Sequence, residues 1–61
     1  MSHKAIGTAT IDHQVTTIRK YENGYYTVEV NGGVKYSSES LAELEKKLSE
    51  DGVTHSIVDR N

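Results

Sequence analysis

YENGYYTVEVNGGVKYSSESLAELEKKLSEDG, residues 21–52, holds two tight-turn signals, two short runs of strand formers and the chain's one amphipathic helix. The fold hangs on this stretch. Asn23-Gly24 lies between runs rich in Tyr, Val and Thr, and an Asn-Gly pair supplies the positive φ that both central residues of a type I′ hairpin turn require. A two-residue loop there sets Tyr21 opposite Tyr26, Arg19 opposite Val28 and Thr17 opposite Val30. Strand side chains alternate faces. This register therefore collects Tyr21, Tyr26, Val28 and Val30 on a core face, and Ile18, Lys20, Tyr25, Thr27 and Glu29 on the other.

The second turn, Asn31-Gly32-Gly33, reads as a loop of two or of three residues. Two would pair Glu29 with Val34 and send Val34 and Tyr36 to the polar face; three would pair Val30 with Val34 and Val28 with Tyr36. A slip of one residue reverses every side chain, so the burial pattern selects the register. It predicts the three-residue loop, with a glycine in the left-handed position.

The helix follows at once. Leu41, Leu44 and Leu48 recur at i, i+3 and i+7 and make a narrow apolar stripe, edged by Ala42 and Glu45. Ser38 and Ser40 are both N-cap candidates; Ser40 with Glu43 fits a capping box, and Gly52 suits the left-handed residue after the last turn. Glu43 also reaches Lys47 at i+4 in the favoured order. Glu50 and Asp51 sit at the wrong end for the helix dipole, which suggests a role in solubility or partner contact.

Outward from this block, residues 53–60 read as a last strand, with Val53, His55 and Ile57 on one face. The helix and its loops just reach the length of a crossover, so this strand is expected to lie parallel to residues 34–38 by a right-handed connection. On the N-terminal side, residues 1–4 are polar and read as a frayed end, and residues 5–11 lack clean alternation. Asp12-His13-Gln14 is either a turn or the middle of one long bent strand from Ile6 to Tyr21. The expected fold class is α+β: a two-layer domain with an antiparallel meander of three or four strands, one helix on one face and a C-terminal strand.

Sixty-one residues make a single small domain, with a formal net charge of −2, no cysteine, no Phe and no Trp. A core this thin usually needs a staple, and the absence of cysteine rules out a disulfide, which leaves local propensity or self-association as a homodimer. Charges of both signs are interspersed, so no basic footprint marks a nucleic-acid partner. No apolar run approaches the length of a membrane span or a signal-peptide core, and the expected location is the cytoplasm.

Little in the chain points to chemistry. His3, His13 and His55 have no second ligand at zinc-site spacing, so no metal is assigned. Asp12-His13 with one of Ser37, Ser38 or Ser40 could be drawn as a catalytic triad, but adjacency in sequence is not the geometry a triad needs, and turn and capping roles account for the serines. The acids at Glu39, Glu43, Glu45, Glu50 and Asp51 read as a solvated helix face, and NGGVK lacks the GK[ST] of a phosphate loop. Neither a catalytic residue nor a cofactor follows, so the chain reads as a non-enzyme.

One helix cannot cover a whole sheet. By the register above, the uncovered face carries Ile18 and Tyr25 among Lys20, Thr27 and Glu29, and these five residues are the candidate partner-binding patch. The chain is thus expected to be a small binding or regulatory module that contacts a protein of unidentified kind through the open sheet face or a sheet edge. Its size and simplicity fit a bacterial or phage accessory protein. A sheet that stacks nucleic-acid bases on Tyr21, Tyr25, Tyr26 and Tyr36 beside Arg19, Lys20 and Lys35 is the alternative, and a dimeric structural subunit is the third reading.

Overall fold

A computed structural model describes residues 2–59 of the chain. The strands and helix run β1 (His3–Ile11), β2 (Gln14–Tyr21), β3 (Tyr26–Val30), β4 (Gly33–Ser38), α1 (Leu41–Glu50) and β5 (Thr54–Ile57). All five strands join one antiparallel sheet in the order β4-β3-β2-β1-β5. The α+β class stands, and the strand count and order are corrected.

The residues before Tyr21 form a hairpin. Ile11 pairs with Gln14 across a two-residue turn whose central residues, Asp12 and His13, have φ of 50° and 67°. These are the left-handed values of a type I′ turn, which Asp and His tolerate better than most residues but rarely signal. The long bent strand is thereby excluded, and His3 and Lys4, expected to fray, open β1 instead. Met1 lies outside the described residues. The missing alternation in β1 also has a cause. A bulge between Ala5 and Gly7 makes Ile6 an extra residue, so Ile6 and Gly7 are both buried, and strict alternation resumes from Gly7 to Ile11.

At the second hairpin the register is corrected by one residue. Ile18 pairs with Val28, Arg19 with Thr27 and Lys20 with Tyr26. The loop is Glu22-Asn23-Gly24: the Gly24 amide donates to the Tyr21 carbonyl (3.0 Å), Tyr21 donates to the Tyr25 carbonyl (2.8 Å), and Gly24 takes φ of 91°. That is a type I turn closed by a left-handed glycine, the usual three-residue hairpin. The Asn23 side chain holds it by accepting from the Tyr25 amide (3.0 Å). A two-residue loop would have set Arg19 beside Val28 in the core, and an unpaired guanidinium there costs far more than a longer turn.

The third hairpin combines the two alternatives. Its loop is the two-residue one, Asn31-Gly32 with φ of 54° and 82°, so Val30 pairs with Gly33 and Glu29 with Val34. A bulge between Val28 and Glu29 then inserts Lys35 and restores the pairing of Val28 with Tyr36. The bulge reverses parity within β4. Val34 therefore points to the open side while Tyr36 packs against the core.

The helix forms as the spacing predicts. Ser40 is the N-cap and accepts from the Glu43 amide (3.3 Å), while the Ser38 hydroxyl accepts from the Ser40 amide (3.1 Å). At the other end Gly52 donates to Ser49 (3.0 Å) and Val53 to Leu48 (2.8 Å), the two bonds of a Schellman cap. Lys47, expected to meet Glu43, donates to the Ser37 carbonyl (3.3 Å). Leu44 and Leu48 are buried with Ile6, Ala9, Ile11, Ile18 and Val28, and Leu41, Tyr26, Tyr36, Val53 and Ile57 pack around them.

The last strand runs in the direction of β4, as expected, but does not pair with it. It pairs antiparallel with β1 at the opposite edge, Gly7 facing Ile57 and Thr10 facing Thr54. Four strand spacings amount to roughly 19 Å. A ten-residue helix is about 15 Å long, so with its loops α1 crosses from one edge of the sheet to the other and covers one face diagonally. Gly7 makes the final pairing close: a Cβ there would collide with the Ser56 carbonyl oxygen. Of the strand expected over residues 53–60, only Thr54–Ile57 pairs, and Arg60 lies outside the described residues.

Candidate functional site: the open face of the sheet

Registered strands place Ser56, Thr8 and Thr17 in one row across the uncovered face, and Glu29 opposite Val34 on the β3–β4 side of it. A second row holds Thr10, Val15 and Thr54; a third holds Arg19, Thr27 and Ser37. His3 and Tyr21 close the face at one end, their rings 5.2 Å apart, with Tyr25 beside them. Small, mostly β-branched hydroxyl residues dominate. Such side chains suit a pleated, half-buried surface.

The charges at the centre of this face cancel, and the Glu39 carboxylate stands at one end against Tyr25. Arg19 meets Glu29 at 3.0 Å, the Tyr21 hydroxyl donates to the same carboxylate at 3.2 Å, and the Thr16 hydroxyl donates to the Glu29 carbonyl from the strand beside it. Strands β5, β1 and β2 contribute Thr54, Ser56, Thr8, Thr10, Val15 and Thr17 with no charge among them. The apolar residues left exposed gather here too. Val15 (71% exposed) and Val34 (58%) lie on this face, Tyr25 (40%) closes one end, and Val58 (82%) follows β5 at the rim.

The five residues expected to form the patch divide. Ile18 is wholly buried and belongs to the core, because the three-residue loop turns it toward the helix. Lys20 shares that side, its ammonium 5.6 Å from the centre of the Tyr26 ring. Tyr25, Thr27 and Glu29 are on the open face, where Thr27 is buried among its neighbours and its hydroxyl has no partner. Sequence pattern missed Val15, Thr17, Arg19, Tyr21 and Val34, all of opposite parity to Ile18 or displaced by a bulge. The strict alternation of Thr8 and Thr10 with Ala9 and Ile11 was the one available signal.

Other titratable groups are tied to structural tasks. Tyr36 donates to Asp51 at 2.6 Å, and this bond holds its phenol above its ordinary pKa; Asp51, placed against the helix dipole, thus fastens α1 to β4. A hydrogen bond to Glu39 likewise raises Tyr25. His55 contacts Glu45 at 3.2 Å and joins β5 to the helix. Asp12 and His13 form a turn, and the hydroxyls of Ser38 and Ser40 serve the helix start. Among the described residues no three His, Asp or Glu side chains gather as a metal site, and no helix is long and apolar enough to cross a membrane.

No family model, no curated protein and no solved structure matches this chain. Its own geometry carries the functional argument.

Proposed function

We propose that this chain is a small non-enzymatic binding module that contacts another protein through the open face of its sheet. One observation carries the proposal: the large apolar side chains left exposed among the described residues lie on that face or at its rim, around a centre whose charges are paired, with the Glu39 carboxylate standing only at the Tyr25 end. Charge depletion with isolated apolar and aromatic side chains is the composition that distinguishes protein contact surfaces. Thr17 stands at the centre of the face, on the middle strand. Thr17→Arg should therefore block binding without touching the core. Immobilised wild type and Thr17→Arg, incubated with a bacterial lysate, provide the test: a protein retained by the first and lost from the second supports the reading, and equal retention overturns it.

A second reading draws on the corrected register, which puts Tyr21, Tyr25 and Arg19 together on the open face. Aromatic rings beside a guanidinium are what a sheet uses to stack single-stranded nucleic acid. Here Arg19 is already engaged by Glu29, so protein contact is preferred. A labelled oligonucleotide bound by wild type with an affinity that falls steeply with salt would reverse the preference.

A further inference from the structure

We infer that the occupant of the open face is a second copy of this chain, stacked face to face about a two-fold axis so that the two sheets become the layers of a sandwich. The inference rests on the protein-binding reading above and names its partner. Four features support it. An isologous contact sets a surface against itself, so an excess of either sign at its centre would repel, and the centre of this face has none: Arg19 and Glu29 are its central charges and are mutually paired, while Glu39 stands at the Tyr25 end.

The area is sufficient. The sheet is roughly 19 Å wide across its four strand spacings in a molecule whose longest extent is 28 Å, so stacking two faces buries on the order of 1,000 Å² in total, near the lower limit of specific interfaces. Flat faces of Thr, Val and Ser can approach to the ~10 Å of a sheet sandwich. The core also lacks a staple: seven apolar side chains are buried among the described residues, and the sequence has no cysteine. A second layer on the open face would supply the burial that a chain of this size is short of.

The sheet edges offer less. β5 spans four residues, and β4 carries a bulge with Lys35 in it, both of which oppose edge-to-edge pairing. The face is thus the better route to a symmetric dimer.

Sedimentation velocity from low micromolar to near-millimolar concentration tests this. Wild type should shift from monomer to dimer with concentration, and Thr17→Arg should weaken self-association by about tenfold or more with an unchanged far-ultraviolet circular dichroism spectrum. Thr8→Arg, one strand away on the same row, provides the same block should Thr17→Arg fail to fold. A dimer that persists in a folded face variant overturns the inference, because the contact is then elsewhere. A wild type that stays monomeric throughout also overturns it. In that case the lysate comparison separates the two ideas: a different protein retained by wild type and lost from Thr17→Arg leaves the binding-module reading standing, and equal retention removes it as well.

Discussion

Thr17 and Ile18 are consecutive residues on the central strand, yet one sits in the middle of the open face and the other in the middle of the core. The pleat alone separates them. On the covered side Ile18 meets Val28 and lies in one cluster with Leu44 and Leu48; on the open side Thr17 stands beside Thr8 in a plane of hydroxyls. The contrast shows how loop length, rather than local composition, assigns a strand's two faces. Asn-Gly occurs twice in the chain, as the whole of one loop and as the end of another, and that single residue of difference chooses between burying Ile18 and burying Arg19.

The largest expected effect breaks the contrast directly. The same substitution at adjacent positions, Ile18→Arg and Thr17→Arg, should unfold the domain in the first case and shift stability by no more than about 0.5 kcal/mol in the second, since one buries an unpaired charge and the other extends into solvent. Urea denaturation followed by circular dichroism measures both; two similar midpoints would mean the faces are assigned wrongly. Next in size, Leu44→Ala should cost roughly 2–5 kcal/mol as a truncation in the core, and a loss under about 0.5 kcal/mol would show that α1 does not press on the covered face.

Gly7→Ala probes the closest backbone approach, where a Cβ would meet the Ser56 carbonyl. It should destabilise by about 1–3 kcal/mol as an overpacking change, with amide exchange rising first in β5; uniform exchange across the sheet would argue against a local clash.

The smallest effect is a pH dependence confined to the helix end. Tyr36 has its pKa raised by the bond to Asp51 and by partial burial. A raised folded-state pKa means the contribution is complete below the ordinary phenol value of about 10 and is lost as pH rises through the folded value. The stability difference between wild type and Tyr36→Phe should therefore narrow above about pH 10. An unchanged gap would place the Tyr36–Asp51 bond outside the energetics of folding.

By itself the sequence determined the local features whose energy comes from neighbours in the chain. The helix with Ser40 and Gly52 at its ends, the leucine stripe, the hairpin positions at Asn23-Gly24 and Asn31-Gly32, and the α+β class are all legible, because capping, glycine geometry and 3.6-residue periodicity act over a few residues. Tertiary structure alone decided which face of β2 is buried, where β5 pairs and what the open face presents. Two bulges, at Ile6 and Lys35, change parity without a sequence mark, and the Asp12-His13 turn uses left-handed backbone without glycine. Register is settled where side chains from distant strands compete for the same space under α1, and there Ile18 against Val28 outweighs any preference a four-residue turn can express.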